Sequence, residues 1–176
     1  MIESIQKAWK WASRYHATQT YATPDPEHNE PYLAHIAAVT FEVMATLERE
    51  TFEKPLLAIQ CAILHDIVED TPVTLEMLTE GFGEEVALGV SALTKNDTLP
   101  KPKQMPDSLA RIKQQPKEVW VVKLSDRINN LDPPPHYWNE AKKKAYQEEA
   151  MQIYEALGSA SPYLSTRILK KIKEYR

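Results

Sequence analysis

The sequence has one cysteine, Cys61, in 176 residues. A single thiol can neither close an internal disulfide nor supply a thiolate cluster for structural zinc, which excludes a disulfide framework and argues against redox chemistry. No apolar run approaches the roughly 20 residues that a membrane-spanning helix needs. The opening stretch MIESIQKAWKW lacks the charged-then-apolar order of a signal peptide. Alternating polar and apolar runs bounded by turn residues are scarce, and there is no internal repeat or low-complexity tail. An overall positive charge is missing too: the formal charge is −4, which argues against general nucleic-acid binding. These absences together predict a soluble, cytoplasmic protein with no membrane or nucleic-acid partner.

What remains is length enough for one well-packed domain, residues 1–176, with apolar residues recurring at helical spacing almost throughout. The expected fold is all-α. Helices are predicted over residues 3–20, 31–49, 54–70, 74–81, 83–94, 107–115, 117–131, 139–157 and 162–175. Loops are predicted where prolines cluster, at 22–30, 95–106 and 132–138. Pro31 suits a first helical turn and Thr74 an N-cap. The 54–70 segment is nearly apolar all round and should be the central helix of the bundle. Trp9, Trp11, Tyr15, Trp120 and Tyr154 are assigned to core and interface, which leaves a homodimer open; His16, His28 and His136 are assigned to the surface.

The central segment ends in an anomaly. LHDIVEDT, residues 64–71, sets His65, Asp66, Glu69 and Asp70 among residues that belong in a dry interior. On a helix these four side chains share one sector, because residues three and four apart are neighbours. Unpaired carboxylates there cost several kcal/mol or neutralise themselves, and adjacent ones aggravate the penalty. A divalent metal resolves the conflict. Further ligand types interrupt two other apolar stretches: His35 in PYLAHIAAV and Asp126 at the end of VWVVKLSD. Imidazoles and carboxylates without thiolates leave room for water and favour Mn²⁺, Fe²⁺ or another six-coordinate metal over structural zinc. Such a metal acidifies water, and Glu69 and Asp70 stand one turn on, ready for proton transfer or water orientation. Metal-assisted hydrolysis is the expected reaction class. Between Lys95 and Leu131 the chain carries eight Lys/Arg against four Asp/Glu. That local excess is either a solvated basic face or the surround of an anionic small molecule, and the second alternative points to a phosphate ester or anhydride.

With His35, HDIVEDT and KLSDRINNL in view, nearly the whole chain resembles the HD-domain metal phosphohydrolases, and within them the hydrolase domain of the RelA/SpoT alarmone enzymes. HATQ with PYLAHIAAV is similar to that family's first block, ILHDIVEDTPVTLEMLTEGFGEEVALGVSALTK to its second, and VWVVKLSDRINNL to its third. The resemblance implies an HD-type helical bundle whose central helix carries the His-Asp and Glu-Asp pairs. It implies that His35, His65, Asp66 and Asp126 ligate Mn²⁺, that Glu69 and Asp70 form the catalytic acidic pair, and that Asn130 contacts the nucleotide. The implied reaction removes the 3′-pyrophosphate of ppGpp and pppGpp. No room remains for the synthetase and regulatory domains of the long enzymes, so a stand-alone small alarmone hydrolase is expected.

The chain departs from the family at one point. An Arg-Lys pair that helps hold guanine is replaced by Tyr21 and Ala22, followed by Thr23 and a PDPEHNE loop. Tyr21 can stack on a purine but supplies no guanidinium, so ppApp joins ppGpp as a substrate candidate. Tyr21, Thr23, Lys95 and Arg111, with Lys101, Lys103 and Lys123, are the candidate substrate contacts. The competing readings are a broader HD nucleotidase and a catalytically silent nucleotide-binding module.

Overall fold

PLLAIQCAIL, the most apolar stretch of the chain, forms a helix at the centre of the molecule, with Leu57, Ala58, Cys61, Ala62, Ile63 and Leu64 all buried. Fully burying each Leu or Ile stabilises the fold by roughly 1.5–3 kcal/mol. In a computed structural model, which describes residues 1–175, the element order is α1 (Ile2–Tyr15), β1 (Thr20–Ala22), β2 (Asn29–Pro31), α2 (Tyr32–Arg49), α3 (Pro55–Leu64), α4 (Ile67–Asp70) and α5 (Leu75–Phe82). There follow α6 (Glu84–Leu93), α7 (Lys101–Ile112), α8 (Lys117–Asn130), α9 (Glu140–Leu157), a 3₁₀ turn at Gly158–Ala160, and α10 (Pro162–Glu174). The central α3 is wrapped by α1, α2, α6 and α8, and α9 and α10 close over α8. Among the described residues no helix is long and apolar enough to cross a membrane.

Two glycines set the approach of α6. At Gly89 an added Cβ would lie 2.8 Å from Cys61 Sγ and 3.1 Å from a Val119 methyl, so the missing side chain lets α6 close on both α3 and α8. Gly83 has φ 90°, a conformation that side chains disfavour, and it turns the chain between α5 and α6. The α5 helix therefore runs past the predicted stop at Gly81 to Phe82.

The helical fold is as expected, but three boundaries differ. First, α1 stops at Tyr15, and Thr20–Ala22 pairs antiparallel with Asn29–Pro31. Both strands are short and mostly exposed, so no apolar alternation marked them. Second, α7 begins at Lys101, inside the stretch expected to be a loop. Pro100 is the N-cap residue and Pro102 lies in the first turn, where no N–H is required; burial of Met105, Leu109 and Ile112 carries the helix through Pro106. Third, the 54–70 helix is broken. His65 and Asp66 form a turn between α3 and α4, with Asp66 at φ −104° and ψ 0°.

Candidate metal centre

The break after Leu64 turns His65 and Asp66 toward the two helices that flank α3. From α2 comes His35, and from α8 comes Asp126. One ligand atom each of His35, His65 and Asp126 lies within 4.8 Å of the others, and all three residues are buried. His35 Nε2 is 3.5 Å from Asp126 Oδ1, and His65 Nε2 is 3.9 Å from the same oxygen. Asp66 closes the group, its Oδ2 at 2.9 Å from His65 Nε2 and 3.9 Å from His35 Nε2.

The donors suit a divalent cation. His65 Nδ1 donates to the Ala62 carbonyl at 2.8 Å, which fixes the ring and directs Nε2 into the cluster. That Nε2 is buried and, despite its proximity to Asp66, has no partner in hydrogen-bond geometry. An orphaned buried nitrogen facing two carboxylates fits the ligand set of a cation. His35, His65, Asp66 and Asp126 would hold such an ion.

The electrostatics agree. Burial alone would lower the His65 imidazole, but Asp66 and Asp126 beside it outweigh burial and hold it up at about 9. Burial would raise the Asp66 carboxyl, yet the adjacent His65 holds it well below the usual carboxylate range. Asp126 is likewise held down against burial, first by the Lys123 ammonium and then by the two imidazoles. In the ion's absence a proton on His65 supplies the compensating positive charge.

Two residues that the sequence reading did not assign to the ligands complete the surround. Tyr32 donates its phenol proton to Asp66 Oδ2 at 2.5 Å; burial and the facing Asp66 drive its ionisation far above the ordinary range. Lys123, expected as a phosphate contact, is only 6% exposed and donates to Asp126 Oδ2 at 2.9 Å. Each stands three residues before a ligand, Tyr32 before His35 and Lys123 before Asp126, a spacing that shares one helix face and was readable in the sequence.

The remaining predicted site residues fall in three groups. Glu69 and Asp70 end α4 and open to solvent beside the cluster. Lys95 holds Glu69, its backbone N–H donating to Oε2 at 3.0 Å and its ammonium 3.7 Å from Oε1. The Asp70 carboxyl is raised by partial desolvation and then by Asp66 and Glu69. Asn130 donates to Asp126 Oδ1 and lines a cavity of about 270 Å³, together with His35, Tyr32, Tyr21, Trp138 and Tyr146. Away from the cluster, Arg111 is bonded to Asp107 and to the Ser91 and Thr94 carbonyls, beside a second cavity that Lys95 also lines. Thr23 ties the hairpin loop, donating to the His28 carbonyl at 2.8 Å. His16 departs from its surface assignment: it is 1% exposed, and its Nδ1 is 2.5 Å from Gln19 Oε1.

Known proteins share this framework. The family model described as HD domain matches residues 8–162. The human protein "Guanosine-3′,5′-bis(diphosphate) 3′-pyrophosphohydrolase MESH1" is 29% identical over 174 residues, 97% of this chain and 93% of that protein. Mouse MESH1 is 31% identical over 86% of this chain and 84% of its own length. A longer Aquifex aeolicus protein, named as the same pyrophosphohydrolase without the MESH1 label, is 31% identical over 88% of this chain, which spans 21% of it. Among solved structures, a metazoan ortholog of SpoT, described as hydrolysing ppGpp, has a TM-score of 0.81 over 97% of this chain and 94% of its own. At 22% identity that likeness speaks for the fold. A family model covering most of the chain and relatives aligned nearly end to end lead to one conclusion: the chain belongs to the HD-domain phosphohydrolase family, in the company of the MESH1-type proteins.

Proposed function

We propose that this protein is a Mn²⁺-dependent hydrolase that removes the 3′-pyrophosphate of a guanosine or adenosine alarmone, ppGpp and pppGpp or ppApp and pppApp. The products are pyrophosphate and the nucleoside 5′-di- or triphosphate. The buried His35–His65–Asp126 group, with Asp66 against it and the Glu69–Asp70 pair open to solvent alongside, carries this reading. The pyrophosphohydrolase names of the relatives support it.

In the proposed reaction water adds at the phosphorus attached to O3′, the P–O3′ bond breaks, and the released oxygen gains a proton. A bound divalent ion supplies charge neutralisation at the phosphate and acidifies water, and a mixed imidazole and carboxylate set suits Mn²⁺. Asp70, its carboxyl raised above the ordinary value by desolvation and by Asp66 and Glu69, accepts the proton that water gives up. Glu69, held by Lys95, orients the attacking water. Lys95 and Arg111, which line one cavity, add positive charge on the phosphate side. The aromatic cavity beside His35 receives the nucleoside, with Tyr21 stacking on the base, Thr23 shaping its hairpin and Asn130 contacting the sugar side. A stacking ring in place of a guanidinium reads the base's face more than its edge, which admits adenine. The same reading places the enzyme in the cytosol, and the exposed Phe41 and Met44 on α2 offer a face for a homodimer.

The test is turnover of ppGpp and ppApp side by side by purified, Mn²⁺-loaded protein, with products separated by ion exchange. Pyrophosphate release from either supports the reading. Orthophosphate release indicates a broader HD nucleotidase, and absence of turnover with metal bound indicates a silent binding module.

A further inference from the structure

Asp70 sits at the end of a helix that cannot hold itself. The α4 helix has four residues, and the Asp70 N–H to Asp66 carbonyl bond at 2.9 Å accounts for its single turn. Isolated turns of this length are unstable, and a helix's last carbonyls lack partners inside it. The Asp70 carbonyl finds one outside: Gln19 Nε2 donates to it at 2.7 Å, across 51 residues of sequence.

Gln19 is in turn held on both sides. Its Oε1 faces His16 Nδ1 at 2.5 Å, which directs the amide NH₂ toward Asp70. Its backbone carbonyl accepts the Tyr32 N–H at 2.9 Å. The buried His16 ring stacks on Tyr32 with centroids 5.2 Å apart, and Tyr32 reaches the other end of α4 through its bond to Asp66 Oδ2. Both ends of α4, the metal ligand Asp66 and the acid Asp70, are thus tied to one short segment. That segment continues without a break into β1 at Thr20.

We propose that Gln19 is a positioning residue for the reaction: with His16 and Tyr32 behind it, its amide fixes the main chain at Asp70 and so sets the direction of the Asp70 carboxylate relative to Asp66. This inference rests on the reading of Asp70 as the proton acceptor. A catalytic group displaced by about 1 Å can lose on the order of 100-fold in rate, whereas binding of the nucleotide and the ion uses other side chains.

The test is Gln19→Glu, which keeps the length and the acceptor for His16 but turns a second oxygen, without a proton, toward the Asp70 carbonyl. Turnover of ppGpp with Mn²⁺ should fall about 10- to 100-fold in kcat, with KM within about threefold and the Mn²⁺-induced rise in Tm unchanged. Gln19→Leu, which lacks the donor without adding charge, should behave alike and is read if Gln19→Glu does not fold. Unchanged kcat in the folded variants overturns the proposal, and so does a loss that brings down the Mn²⁺-induced Tm rise with it. Asp70→Asn in the same assay separates the two readings. Full activity there removes the role of Asp70 itself, whereas loss of activity there with normal kcat in the Gln19 variants removes only the clip.

Discussion

Binding of the ion must displace a proton, and this makes affinity steeply pH-dependent. His65 is 3% exposed and is held at about 9 by Asp66 and Asp126, against about 6.5 for a free imidazole. To ligate through Nε2 it must be neutral. At pH 7 the ion competes with a bound proton, so affinity is weakened on the order of 100-fold, or roughly 3 kcal/mol. Each unit of pH from 6.5 to 8.5 should therefore tighten Mn²⁺ about tenfold, adding about 1.4 kcal/mol to the stabilisation seen at a fixed excess of ion. For a chain of this size the gap in Tm between ion-loaded and ion-free protein should therefore widen by roughly 3–6 °C per pH unit. The gap widens from the ion-free side. A raised folded-state value means that His65 stabilises the ion-free protein fully below about pH 6.5 and loses that contribution as pH climbs through about 9. Asp66 and Asp126, held down, contribute above the unfolded carboxylate value and lose that contribution as pH falls. Calorimetric titration in two buffers of different ionisation enthalpy, with melting curves over the same range, measures both quantities. A Mn²⁺ affinity that stays flat from pH 6.5 to 8.5, with no proton released, would refute the assignment of His65 as a ligand charged in the ion-free state.

Other consequences are more direct. Asp66→Ala should abolish both turnover and the Mn²⁺-induced Tm rise, whereas Asp70→Asn should keep the Tm rise and lose about 100-fold or more in kcat; full activity in either variant contradicts the assigned roles. Gly89→Ala should destabilise by roughly 1–3 kcal/mol in denaturant titration, because its Cβ would lie 2.8 Å from Cys61 Sγ; an unchanged midpoint would mean that α6 moves away freely. The Cys61 thiol is fully buried and pushed up to about 12 by desolvation, so a disulfide reagent should label it only as fast as the protein unfolds. Labelling of the folded protein within seconds would show that α3 is accessible.

The ligand cluster was legible because it violates the pattern around it. His65 and Asp66 follow an apolar run, and His35 and Asp126 interrupt two others, so each signals a cost that the fold must offset. The break that brings them together was not legible. The 54–70 segment has helical periodicity throughout, and Asp66 leaves the helix for tertiary reasons that no local propensity reports. The same holds for Pro106, which local rules place outside a helix and which burial of Met105 and Leu109 keeps inside one. His16 was misplaced because its loop neighbours are polar, while its burial comes from Gln19, Tyr32 and the packing of α1 on α3.

Charge shows the limit most clearly. Between Lys95 and Leu131 the sequence announces a positive excess, and that excess drew attention to phosphate. In the fold its members diverge. Lys123 lies inside, neutralising the far oxygen of Asp126; Arg111 braces α7 against the end of α6; Arg127 is buried on Glu149 with its guanidinium 4.1 Å from the Tyr146 ring centroid. All three cations are bonded to the scaffold, and two of them shape the site from behind: one steadies a metal ligand, the other an aromatic wall of the cavity. Lys95, on Glu69, is the member of the segment that reaches the acidic pair directly. A run of charge fixes the sign of the field near a site, but whether a cation meets the substrate or the scaffold depends on which helix face it occupies. Spacing to the nearest ligand decides that better than charge: Lys123, three residues before Asp126, shares its helix face and bonds to it, whereas Arg127, one residue after, is turned aside to Glu149 and Tyr146.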